Sequence, residues 1–323
     1  MMHDAGSLPA QGPTARPIGL GSVKALLGLT SLLALLALIL PCSAGASAGR
    51  LPVIASFSIL GDLAAEVGGS RVDVSTLVGP NGDGHSFQPS PADAGKISGA
   101  KIVLVNGLGF EGWMPRLVKA SGGSPVVVEV SRGIVPRAMA AEGEHAHAHA
   151  DPHVWQSVAN ARAMVGNIRD AFTAADPAGR SVYEANAAAY DAKLAALEVE
   201  VRAAIARIPA ERRRIITSHD AFGYFSAAYG VEFVAPQGVS TEAEASAMAV
   251  ARIIRQIKAQ AIPAVFVENI SDPRLLARIA DETGSRIGGT LYSDALSRPE
   301  EGAGTYIEMI RHNIRELASA LAS

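Results

Sequence analysis

The sequence predicts an α/β fold, with two doubly wound lobes of mostly parallel sheet bridged by one long rigid helix. Three observations point there. Short apolar, β-rich runs alternate with helical patterns from residue 51 to residue 130, and the same alternation restarts near residue 213. Between them, one helical period runs unbroken across residues 177 to 209.

In chain order, "LPVIASF" reads as a strand and "SILGDLAAEVGG" as a helix. "VDVSTLVG" is a second strand, "PADAGKISGA" a helix and "KIVLVNG" a third strand. "GWMPRLVKAS" then reads as a helix and "PVVVEV" as a fourth strand. The second set of strands is "RRIITS", "VEFVAP", "PAVFVE" and "RIGGTLYS", again with helices between. The intervening segment carries Tyr183, Tyr190, Leu194, Leu197, Val201, Ile205 and Ile208 at steps of 7, 4, 3, 4, 4 and 3, with proline at each end. At 1.5 Å per residue it would extend roughly 45 Å, which suits a stiff spine between lobes. A helix packed within one domain would show the same period. The expected boundaries are a first lobe over 49–176, a linker helix over 177–209 and a second lobe over 210–323.

Residues 1–48 are expected to form a signal peptide. Arg16 and Lys24 precede "ALLGLTSLLALLALIL" (25–40), which carries no charge but is shorter than the roughly 20 residues a bilayer span needs. Ala46, Ser47 and Ala48 fit a cleavage site, so export to the periplasm is expected; an uncleaved membrane anchor is the alternative. Cys42 is the only cysteine, and Pro41 before it departs from the small residue that precedes a lipid-attachment cysteine. Cleavage after Ala48 removes Cys42, which excludes disulfides and thiolate ligands from the mature chain. Any transition metal must then be held by histidine and carboxylate.

A chain of 323 residues, 49% hydrophobic, has enough apolar material for one large or two medium domains. Its 28 basic and 31 acidic side chains leave a formal net charge of −3, and no large basic patch points to nucleic acid.

Of the eight histidines, four fall in "EGEHAHAHADPHVWQS" (142–157). His145, His147 and His149 alternate in a low-complexity loop at 142–150, whereas His153 stands in "DPHVWQS" just before a helix, with Asp151 and Pro152 fixing the turn. His85 is the one strong transition-metal donor in the Gly- and Pro-rich loop "GPNGDGHSFQPSPAD". Taken alone, it reads equally well as an ordinary loop histidine. That loop lacks the Lys and Ser/Thr of a phosphate-binding loop, so nucleotide is rejected there. His219 follows the strand "RRIITS" and Asp294 follows "RIGGTLYS", at the carboxyl ends of strands where open α/β sheets gather ligands. A cleft between lobes could therefore collect His85, His153, His219 and Asp294, a donor set that suits tetrahedral Zn2+ better than manganese or magnesium. A zinc hydrolase is the competing class, but no HExxH is present and four ligands leave no open position for water. His312, in the terminal helix, reads as a surface residue.

The stretches "GPNGDGHSFQPSPAD", "NGLGFEGWM", "DPHVWQSVANA", "SHDAFGYFSAAYG", "FVENISDP" and "LYSDALS" resemble, in order, those of the cluster A-I metal-specific solute-binding proteins of ABC importers, of the zinc-uptake type. The resemblance implies two α/β lobes bridged by a long helix, with metal between them and no enzymatic activity. It implies His85, His153, His219 and Asp294 as first to fourth ligands. It also bears on the choice of metal, because manganese-type members tend to have Glu at the third position and zinc-type members His; His219 therefore points to zinc, with manganese or iron carriage as the alternative. Some zinc-type members place an acidic ligand directly before the first histidine, where this chain has Gly84. The implied partners are a membrane permease with its ATPase and a possible zinc chaperone, and the implied state is a monomer. His145, His147 and His149 would then be a secondary metal site, a collector or a chaperone dock, or else an insert of little consequence.

Overall fold

The computed structural model describes residues 49–138 and 150–321; the expected signal peptide and the loop histidines His145, His147 and His149 lie outside the described residues. The first lobe contains β1 (Leu51–Phe57), α1 (Ser58–Gly68), β2 (Val72–Val78), α2 (Pro91–Gly99), β3 (Ile102–Val105), α3 (Met114–Ser121) and β4 (Val126–Glu129). Consecutive strands are joined by helical crossovers, and the four-stranded sheet is parallel throughout, in the order β2-β1-β3-β4. Central β3, "IVLV", is buried along its whole length, whereas edge strand β4 leaves Val126 and Val127 exposed.

Next come α4 (Val158–Ala175) and the long α5 (Arg180–Ala206), entered through a tight turn at Pro177–Gly179. Tyr183, Tyr190, Leu194, Leu197, Val201 and Ile205 form the buried face of α5, as the period predicts. The second lobe follows as β5 (Arg214–Ile216), α6 (Gly223–Tyr229), β6 (Glu232–Val234), α7 (Ala247–Gln260), β7 (Ala264–Glu268), α8 (Arg274–Thr283), β8 (Arg286–Leu291) and α9 (Tyr306–Leu321). Its sheet is again parallel, in the order β6-β5-β7-β8, with a register irregularity between Val265 and Val267.

The lobes share a core. Helix α5 packs on α1 and α4 from the first lobe and on α9 from the second. One continuous apolar cluster runs from Val53 and Leu104 through Leu194 and Leu197 to Phe266, Leu291 and Tyr306. A smaller cluster, including Ile216, Ile253, Ile257, Val265 and Leu276, joins the second sheet to α7 and α8. The long helix is thus a shared core element and not a free strut. Leu197→Ala in that core is expected to cost about 2–5 kcal/mol, read as a lower denaturant midpoint. An unchanged midpoint would mean that the spine contributes little to stability.

Both sheets reverse their winding beside their first strand, between β1 and β3 and between β5 and β7, and a buried carboxylate sits near each reversal. Glu111 accepts from Ser56 Oγ (2.6 Å), Asn106 N (2.7 Å) and Gly107 N (3.1 Å). Glu268 accepts from Ser218 N (2.7 Å) and His219 N (2.9 Å). These bonds satisfy amides that the ends of the strands leave unpaired.

Candidate metal centre

His85 leaves the first lobe in a turn built by Asn81, at φ 56°, and by Asp83, whose Oδ1 accepts from His85 N at 2.9 Å. The same carboxylate accepts from Thr241 Oγ1 of the second lobe at 2.6 Å through Oδ2. His153 directly precedes a one-turn helix at Val154–Gln156, and the segment is pinned by Asn106 Nδ2 donating to Pro152 O at 2.8 Å. His219 lies beyond the carboxyl end of β5, and Asp294 beyond that of β8. The Asp294 loop is gripped from both lobes. Trp155 Nε1 and Gln156 Nε2 both donate to Ser293 O, at 2.8 and 2.7 Å, while Asn269 Nδ2 donates to Ala295 O at 3.2 Å.

These four elements converge. One donor atom from each of His85, His153, His219 and Asp294 lies within 4.8 Å of the others. The close separations are 3.2 Å between the Nε2 atoms of His85 and His153, 3.4 Å from His85 Nε2 to Asp294 Oδ2, and 3.1 Å from His219 Nε2 to Asp294 Oδ2. Four donors at about 2.0–2.1 Å from one ion would lie about 3.3 Å apart at tetrahedral angles, and these three gaps fall near that spacing. His85 is 6% exposed and the other three 0%, and Asp294 Oδ1 is buried with no hydrogen-bond partner. A buried cluster whose carboxylate keeps one oxygen without a hydrogen-bond donor is what a cation would complete.

Electrostatics separates the three rings. Burial lowers the His85 pKa, and the Asp294 carboxylate only partly opposes this. Burial would also lower His153, but the charge of Asp294 and the hydrogen bond to Asp151 outweigh it and push the ring up to about 9. His219 rises well above 6.5 because the carboxylates of Glu268 and Asp294 overcome its burial. Asp294 itself is held well below the usual carboxylate range, since the charged His153 and His219 rings outweigh its own desolvation.

Two of the rings are oriented from behind. Asp151 Oδ1 takes both His153 N (3.0 Å) and His153 Nδ1 (2.8 Å). Glu268 Oε2 stands 2.5 Å from His219 Nδ1. Each carboxylate faces Nδ1 of its ring, which leaves Nε2 toward the centre. Sequence reasoning assigns Asp151 only a turn; the signal for its orienting role is a carboxylate two residues before a histidine. Gly84 has a steric reason to be glycine, because a Cβ there would lie 2.6 Å from Phe110 Cζ. His312 lies apart from the centre, half-buried on α9, with Nε2 2.9 Å from Thr290 O.

Residues 53–320 match the family described as ZnuA, zinc-uptake complex component A, periplasmic. The manganese-binding lipoprotein MntA of Halalkalibacterium halodurans is 35% identical over 272 residues, 84% of this chain and 89% of that protein. The iron-binding protein YfeA of Yersinia pestis is 33% identical over 272 residues, covering 84% and 86% respectively. Among solved structures, the periplasmic zinc binding protein TroA of Treponema pallidum superposes with a TM-score of 0.80 at 32% identity, over 85% of this chain and 100% of that one. Members of the family are solute-binding proteins that serve a membrane permease and its ATPase, and they are not enzymes. With the family match spanning nearly all of both lobes, the chain belongs to the ZnuA family of metal-binding substrate-binding proteins of ABC importers.

Proposed function

We propose that the protein captures Zn2+ outside the cytoplasmic membrane and delivers it to its permease, with His85, His153, His219 and Asp294 as the ligands. The observation that carries this reading is the chemistry of the third donor. His219 presents an imidazole, so the set contains three nitrogens and one carboxylate, which favours zinc over metals that prefer more oxygen. The family description names zinc, as does the TroA structure. Manganese or iron carriage is the second reading, favoured by the names of MntA and YfeA.

His219→Glu exchanges a nitrogen donor for oxygen and is expected to move the preference toward manganese, measured by offering the metal-stripped protein equal zinc and manganese. An unchanged ranking would remove His219 from the ligand set. The mature chain acts as a soluble periplasmic monomer cut after Ala48. Lipid attachment at Cys42 is the alternative that the lipoprotein name of MntA favours. His145, His147 and His149 serve as a weak secondary collecting site or a dock for a zinc-donating chaperone.

A further inference from the structure

The four clustered residues are backed on one side by an aromatic wall. Phe110, 1% exposed, sets its ring edge-on to His85 with centroids 4.6 Å apart, and 6.3 Å from the His153 ring. Phe57 and Trp155 pack against it, with centroids at 4.9 and 5.0 Å. The one polar atom on those two rings, Trp155 Nε1, is already bonded to Ser293 O. Nothing on this wall offers a donor to water or metal.

Phe110 is also held firmly in place. It follows a turn in which Gly107, Leu108 and Gly109 all take positive φ (87°, 55° and 85°), closed by Phe110 N donating to Gly107 O at 3.1 Å. Its neighbour Glu111 anchors the same turn through the Asn106 and Gly107 amides. Across from the ring, Trp113 Nε1 donates to Gly84 O at 2.8 Å and fixes the residue before His85. Any side chain at position 84 would run into the Phe110 ring. The ring therefore occupies the space that a side chain at position 84 would need, on the side of the cluster that His85 presents to it.

We propose that Phe110 is a specificity-determining residue, which excludes water and any added oxygen ligand and so limits the bound ion to the donors of His85, His153, His219 and Asp294. This rests on the metal-site reading above and deepens it. A shell closed at these donors suits zinc, which is satisfied by four, and disfavours manganese, which prefers octahedral, oxygen-rich surroundings. Selectivity then has two sources, the imidazole of His219 and the dry wall beside His85.

The test is Phe110→Ala and Phe110→Leu, each loaded with cobalt as a spectroscopic probe and titrated with zinc in competition with manganese. Wild type is expected to show the intense visible bands of a closed four-ligand cobalt site. Both variants should lose much of that intensity as water enters, and their zinc-over-manganese ratio should fall by about tenfold or more, with leucine intermediate. Circular dichroism checks folding, and if the alanine variant does not fold the leucine variant decides. Wild-type spectra and ratios in a folded variant would overturn the assignment of Phe110 while leaving the metal site intact. A wild-type cobalt spectrum that is weak, or that survives His219→Ala, would overturn the site reading itself and this inference with it.

Discussion

Replacing Asp294 by Asn is expected to weaken metal binding by at least about a thousandfold, beyond the roughly 10–100-fold typical of losing a group that only orients a ligand. Asp294 is the one anionic donor in the cluster and approaches all three rings, with Oδ2 at 3.1 Å from His219 and 3.4 Å from His85 and Oδ1 at 3.6 Å from His153. Asparagine keeps the shape, and the loop stays in place because Trp155, Gln156 and Asn269 hold its backbone. The loss then reports charge and donor strength instead of misfolding. The metal-free variant should also be less stable at neutral pH, because the Asp294 carboxylate is the main group that keeps His153 protonated in the folded protein and acts with Glu268 on His219. Chelator competition and denaturant unfolding measure the two effects. A loss of less than about tenfold would remove Asp294 from the ligand set.

Zinc binding at pH 7 is expected to release about two protons. His153, raised to about 9, and His219, raised well above 6.5, both carry a proton in the metal-free protein, whereas burial keeps His85 neutral. A metal must displace those protons, so affinity should keep rising with pH to about 9 instead of levelling off just above the reference value near 6.5. Stability of the metal-free chain moves the other way. A folded pKa above the unfolded value gives stabilisation that is complete below about 6.5 and is lost as pH climbs through about 9. The metal-free Tm should therefore fall between pH 6.5 and pH 9 while zinc affinity rises across the same interval. Calorimetry in buffers of different ionisation enthalpy counts the protons; a count near zero at pH 7 would place neutral imidazoles in the metal-free site.

Much of this was readable from local pattern. "LPVIASF" coincides with β1, and the steps from Tyr183 to Ile205 match the buried face of α5, because period and alternation are properties of neighbouring residues. His219 and Asp294 were legible because they follow strand-like runs, where α/β sheets collect ligands. The roles of other residues depend on distant partners. Glu268 orients His219 from 49 positions away, and Gly84 must be glycine because Phe110 folds against it. The shared core was hidden for a similar reason, since nothing in the period of α5 says that α1, α4 and α9 pack on it from both lobes. The pH range was hidden too, because only the folded geometry brings Asp294 and Asp151 to His153.

The most direct test of zinc carriage is a competition titration of the metal-stripped mature chain with zinc against a chelator of known strength, repeated in excess manganese. The expected result is one tight zinc per chain that manganese does not displace, abolished by Asp294→Asn and by His219→Ala. Weak zinc binding, or zinc readily displaced by manganese, would contradict it and make the protein a carrier of a harder metal.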